Sequence, residues 1–223
     1  MTFHVRVFKD DLWAQAAAEL TFESLPPEGA MVLTGGSAAE LVYPLLARRK
    51  SPWRGIELYF SDERSVGPDD PNSNFGLVRR TLLSDIRPAS VHRMHGEQVP
   101  EAAARAYQLV VAPVVERGID LMLLGVGADA HIAGLFPGSR ALDESTKLCV
   151  AVQRPDGMMG LTLTPPVLTR ALRILLLVSG PAKAEAVRLA VEGADPPRVC
   201  PVRLLADHPD VTFVLDESAA ARL

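Results

Sequence analysis

Hydrophobic residues along this chain follow two rhythms. Short runs rich in Val, Ile, Leu and Phe recur at residues 3–8, 30–34, 55–60, 119–125, 148–153, 161–164, 174–178 and 211–215. Several are nearly continuous, as in Ile119-Asp120-Leu121-Met122-Leu123-Leu124, which marks strands covered on both faces. Between them, residues 10–25, 37–50, 74–83, 100–117 and 181–192 read as helices. The alternation predicts an α/β fold: an open, mostly parallel, Rossmann-like sheet with right-handed crossovers and helices on both faces. Residues 149–164 are richer in strand signals and break the rhythm, predicting a small mixed or antiparallel addition. Neither a low-complexity linker nor an internal repeat divides the chain, so residues 1–223 read as one domain.

Composition narrows the classes. With 48% hydrophobic and 22% charged residues the chain is that of a folded globular protein, not a disordered one. Its two cysteines, Cys149 and Cys200, form no CxxC pair, which excludes a disulfide scaffold and a Cys-based zinc finger and fits a reducing compartment. A net charge of -4 leaves no basic surplus for a nucleic-acid backbone, so an anionic ligand must be met by a few placed cations and backbone amides. No apolar run is long enough for a bilayer, and residues 1–10 lack the apolar core of a secretion signal. The expectation is therefore a cytoplasmic protein without nucleic-acid or membrane partners, its oligomeric state left open and a monomer allowed.

Four clusters follow predicted strands, where open parallel sheets gather ligands. In the first, Gly35-Gly36-Ser37 with Glu40 three residues on predicts a capping box, and a phosphate or carboxylate would suit such a helix start. A plain strand-to-helix turn is the competing account. In the second, Ser61-Asp62-Glu63-Arg64-Ser65-Val66 precedes Ser73-Asn74. Arg64 could grip phosphate oxygens while Asp62 or Glu63 fixes its guanidinium, against the alternative of a solvated loop with an internal ion pair. The third runs from Gly125 to Gly138 and delivers Asp129 and His131 after a Gly-x-Gly turn. Histidine is the usual general base near neutral pH, and a neighbouring carboxylate orients it. The amides of Gly127, Ala128 and Ala130 are candidates for holding an oxyanion. A third glycine at dinucleotide spacing is missing, so this is not a nucleotide fingerprint. In the fourth, Ser179-Gly180-Pro181-Ala182-Lys183 sets a cation near a helix start, unfavourable for the helix dipole but suited to an anion. Elsewhere His4, His92, His95 and His208, Cys149, Trp13 and Trp53 read as surface or packing residues.

Taken in this order and spacing, the Ser61–Val66 block with Ser73-Asn74, and the Gly125–His131 block continuing through Leu135-Phe136-Pro137-Gly138, resemble the 6-phosphogluconolactonase family within the glucosamine-6-phosphate isomerase/deaminase superfamily. The resemblance implies hydrolysis of 6-phospho-D-glucono-1,5-lactone in the oxidative pentose phosphate pathway, with no redox cofactor and no metal. It implies His131 as general base and Asp129 as companion acid. Gly35, Gly36 and Ser37 would receive the substrate, and Arg64 and Lys183 would lie near its phosphate. The chain departs from the family pattern at Ala38-Ala39, Ala130, Ile132, Gly134 and Gly160, the last standing where the family usually carries an Arg; Arg154 is a candidate to compensate. Two other readings compete. A glucosamine-6-phosphate isomerase/deaminase typically uses a Glu where Phe136 stands, and a non-catalytic sugar-phosphate-binding module would keep the pocket without turnover.

Overall fold

The structure is a computed structural model that describes residues 3–49 and 53–223. Seven strands form one parallel sheet: β1 (His4–Phe8), β2 (Gly29–Leu33), β3 (Ile56–Phe60), β5 (Ser90–Val91), β6 (Ile119–Gly125), β9 (Ala171–Val178) and β10 (Val211–Asp216), in the order β1-β10-β9-β6-β2-β3-β5. The helices are α1 (Trp13–Glu23), α2 (Gly36–Ala47), α3 (Asn74–Val78), α4 (Pro100–Arg117), α5 (Pro165–Leu168), α6 (Ala184–Val191) and α7 (Glu217–Ala220). A second, antiparallel sheet joins β4 (Asp62–Arg64), β8 (Met159–Leu163) and β7 (Cys149–Gln153), in the order β4-β8-β7. The expected fold class and the small antiparallel addition are both present.

Strand order explains where a ligand can go. From β2 the chain builds outward through β3 to β5, whereas from β6 it builds the other way through β9 to β10. The crossovers therefore diverge between β2 and β6, opening a crevice beyond their carboxyl ends. All residues of β6 except Asp120 and Gly125 are buried, as its unbroken apolar run requires when both faces are covered.

Two tyrosines fasten helices to the strand ends beside this crevice. Tyr43 of α2 donates its hydroxyl to the Thr34 carbonyl at 2.8 Å and accepts the Thr34 N–H at 3.1 Å. Tyr107 of α4 does the same at Phe60, with distances of 3.2 and 2.8 Å. Both side chains are buried. Each combines roughly 2 kcal/mol or more of apolar burial with a satisfied polar tip, so the turns following Thr34 and Phe60 start from fixed points.

Several boundaries differ from the hydrophobic pattern. Residues 9–12 form a turn closed by the Leu12 and Trp13 N–H groups on the Lys9 carbonyl, and α1 starts only at Trp13. The helix expected over 74–83 is α-helical to Val78 and then widens into a π-type turn, Arg79–Leu83. Residues 181–183 form a 3₁₀ turn leading into α6. The expected loop after Phe60 is strand β4, whose Asp-Glu-Arg sequence carries no strand propensity; backbone pairing with Leu161, Thr162 and Gly160 imposes the conformation. Trp13, Trp53 and Cys149 are buried, in keeping with packing roles. The end of the expected second helix, at Lys50, lies outside the described residues.

Candidate active site

The glycine turn after β2 leads directly into α2. Gly35 is extended, with φ -99° and ψ -161°, and Gly36 has φ +87°, a left-handed conformation that glycine adopts without strain. A Cβ on Gly35 would lie 1.8 Å from Asn74 Oδ1, so the position admits no side chain. The expected capping box does not form. The helix begins at Gly36 with Gly35 at the capping position, which puts Ser37 two positions too far in, and no side chain caps the end. The first-turn N–H groups of α2 therefore remain available to an anion.

The carboxylates of β4 serve the wall of the site and do not hold Arg64. Glu63 is buried and accepts from the N–H groups of Arg64, Asn74 and Phe75 at 2.7 to 2.8 Å and from the Ser73 hydroxyl at 3.0 Å. Burial pushes its carboxyl up despite these donors. Asp62 accepts from the Ser61 hydroxyl and the Asn74 side-chain amide at 2.7 and 3.1 Å. Arg64 instead donates to the Asn72 carbonyl at 2.8 Å and to Asn74 Oδ1 at 2.6 Å. This corrects the expectation that Asp62 or Glu63 fixes the guanidinium: both carboxylates are already engaged by neighbouring donors. Asn74 is the residue the sequence reading underweighted. It joins Gly35, Asp62 and Arg64, whereas in the sequence it stands out only through the Ser73-Asn74 pair that follows the Ser61–Val66 block.

Beyond β6 the chain folds tightly around His131. His131 Nδ1 lies 2.5 Å from Asp129 Oδ1. Because an ionised carboxylate only accepts, Nδ1 carries the proton and Nε2 keeps the lone pair of a base. Burial raises the Asp129 carboxyl, but the His131 hydrogen bond and charge, with backbone N–H groups, outweigh it and leave it below the ordinary carboxylate range. A Cβ on Gly127 would meet His131 Nδ1 at 2.0 Å, so the ring sits where only glycine permits it. Ala130 and Ala133 are left-handed, with φ 64° and 49°. Gly134 donates to Thr162 Oγ1 at 3.0 Å and has no room for a larger side chain against it, which accounts for glycine there.

Of the three amides expected to hold an oxyanion, two are engaged. Gly127 donates to the His131 carbonyl at 2.9 Å and Ala130 to the Gly127 carbonyl at 3.0 Å, closing the turn that carries the imidazole. Among the described residues the Ala128 amide has no such acceptor.

The four clusters meet in one cavity of about 120 Å³. Its lining includes Gly35, Gly36, Ser37, Asp62, Arg64, Asn74, Gly127, His131, Lys183 and Arg154. Partial burial lowers Lys183 from the ordinary lysine value, and the Asp129 charge opposes that shift. A larger hollow of about 930 Å³ adjoins it at Arg154 but contains neither the glycine turn nor His131, so size does not locate the chemistry. No helix among the described residues is long and apolar enough to cross a membrane.

Fold and site together define an α/β protein in which an uncapped helix start, several cations and the imidazole of a His–Asp pair meet in one cavity beyond the parallel strands. The chain belongs to the family of glucosamine-6-phosphate isomerases/6-phosphogluconolactonase, which matches residues 12–214. It is 39% identical over 210 residues to the 6-phosphogluconolactonase of Mycobacterium tuberculosis, covering 86% of this chain and 84% of that one. The structure of 6-phosphogluconolactonase from Trypanosoma cruzi superposes with a TM-score of 0.87 at 25% identity, over 100% of this chain and 98% of that one. A monomeric glucosamine-6-phosphate deaminase superposes equally well, with a TM-score of 0.87 at 26% identity over 99% and 100% of the two chains. Backbone likeness alone does not separate the two chemistries.

Proposed function

We propose that this protein is a 6-phosphogluconolactonase: it hydrolyses 6-phospho-D-glucono-1,5-lactone to 6-phospho-D-gluconate in the oxidative pentose phosphate pathway. Residues 1–223 act as a single domain in the cytoplasm, with the sugar phosphate as small-molecule partner. The observation that carries this reading is the convergence of the glycine turn, Arg64, Lys183 and the hydrogen-bonded His131–Asp129 pair on one cavity. Resemblance to named lactonases supports the substrate.

In this reading the 6-phosphate docks on the N–H groups at the start of α2, with Ser37, Arg64 and Lys183 around it. Anchoring that end holds C1 of the lactone near His131, replacing a bimolecular encounter by a positioned one. His131 Nε2 takes a proton from water as its oxygen bonds to C1, and Asp129 stabilises the imidazolium. The carbonyl oxygen becomes an oxyanion, for which Ala128 supplies the unengaged amide of its turn. When the tetrahedral intermediate collapses, the C1–ring oxygen bond breaks and the imidazolium returns the proton to that oxygen. Phe136 favours this chemistry over deamination. Its buried ring lies 4.6 Å from the His131 ring, an apolar group where the resemblance places a catalytic Glu in the deaminase branch.

The test is a coupled assay in which glucose-6-phosphate dehydrogenase generates fresh lactone and spontaneous opening is subtracted. Acceleration proportional to enzyme is expected. Release of ammonia from glucosamine 6-phosphate would establish the deaminase instead, and sugar-phosphate binding without hydrolysis would establish a binding module.

A further inference from the structure

The cavity contains a third cation to which the mechanism above gives no part. Arg154 follows β7 at a tight hairpin: its N–H donates to the Met158 carbonyl at 2.8 Å, and Gly157, at φ +85°, donates back to the Arg154 carbonyl at 3.0 Å. Its side chain is only 13% exposed. Nε donates to Asp156 at 3.2 Å and the guanidinium lies 5.2 Å from the centre of the Phe136 ring. Among the described residues its two terminal nitrogens have no acceptor. Covered along its stem but with both terminal nitrogens free of protein acceptors, the guanidinium is placed to donate to an anion that enters the cavity.

The antiparallel sheet gives that side chain its room. Gly160 of β8 pairs with Val152 on one side and with Arg64 on the other. A Cβ on Gly160 would come 2.9 Å from the Glu63 carbonyl and 3.4 Å from Arg154 Cδ. The bare glycine thus leaves room for the Arg154 stem, and Arg154 and Arg64 line the same cavity. The lining carries three cationic side chains, Arg64, Arg154 and Lys183, with Asp62 as its carboxylate. A phosphate monoester carries close to two negative charges at neutral pH.

We propose that Arg154 is a specificity-determining residue that completes the phosphate cradle with Arg64 and Lys183, selecting a phosphorylated lactone over an unphosphorylated one. Phe136 and Asp156 orient its guanidinium and Gly160 gives it passage. The substrate part of this inference rests on the lactonase reading; the anion part does not.

The decisive comparison is Arg154→Ala and Arg154→Lys against wild type, with thermal melting as the check on folding. For Arg154→Ala, loss of a charge-assisted contact should raise KM for the phosphorylated lactone by about tenfold or more. kcat should stay within about threefold, because binding shared by ground and transition states is what is removed. KM for unphosphorylated glucono-1,5-lactone should not move, and Arg154→Lys should recover part of the loss. Calorimetric titration with inorganic phosphate should weaken in parallel. A folded Arg154→Ala protein with unchanged phosphate affinity, or with equal losses on both lactones, overturns the proposal. If wild type opens no lactone, the functional reading falls and the phosphate titration still decides the role of Arg154.

Discussion

Two carboxylate clusters stand at the same rim of the sheet and do opposite work. In β4, Asp62 and Glu63 are buried and their oxygens are engaged by surrounding donors. Beyond β6, Asp129 is half exposed and its main partner is the imidazole of His131. The first cluster cannot take part in proton traffic without dismantling the turn that carries Ser73, Asn74 and Phe75. The second can, because little else depends on it. A carboxylate near a cavity is therefore assigned by what its oxygens already hold, not by its distance from the ligand.

The contrast makes separable predictions. The largest effect is expected from His131→Ala: kcat falls by about 10²- to 10⁴-fold while the urea unfolding midpoint stays close to that of wild type. An unfolded His131→Ala protein, or one with normal turnover, would erase the distinction between the clusters. Next comes Glu63→Ala, which strands four donors in a buried turn and should cost about 2–4 kcal/mol of stability in equilibrium denaturation. If stability were unchanged and kcat collapsed, Glu63 would belong with the chemistry.

A smaller effect sharpens the charge side of the comparison. Partial burial lowers Lys183, so its positive charge is lost as pH rises, starting earlier than for an exposed lysine. The affinity for inorganic phosphate should accordingly decline below the ordinary lysine range, and Lys183→Arg should abolish that decline in a calorimetric pH series. The sign for stability is the reverse: burial of the charged form costs stability, and the cost disappears as the amine deprotonates. The smallest effect is at Ala130, whose left-handed φ of 64° is unfavourable for a residue with a Cβ. Ala130→Gly should stabilise by about 0.5–1 kcal/mol, the relief exceeding the added freedom of the unfolded chain. A destabilised variant would mean that the Ala130 methyl packs usefully against its buried surroundings.

Much of the fold could be read from the chain because its central strands are apolar over whole runs, and burial on both faces allows little else. Residues 62–64 could not be read that way. Their strand conformation comes from pairing with β8, almost a hundred residues away, and polar sequences have no periodicity that announces such a partner. Likewise Gly35-Gly36-Ser37 announced a helix start, but the capping box fails because the helix starts two residues earlier than it requires, beside the contacts of Tyr43 with Thr34 and of Asn74 with Gly35. The oxyanion amides show the same limit: Gly127 and Ala130 have suitable positions in sequence, yet closure of the turn occupies both N–H groups.

The amino-acid order by itself determined the parallel α/β plan, the four ligand-edge clusters and the pairing of Asp129 with His131, since each follows from local periodicity or from neighbours two or three residues apart. Only the tertiary structure decided which carboxylates are free to act, that Asn74 ties the glycine turn to Arg64, and that Arg154 lies in the same cavity as Lys183. Those outcomes depend on contacts between segments distant along the chain, where burial and competing donors, invisible in any short stretch of residues, set what each side chain can do.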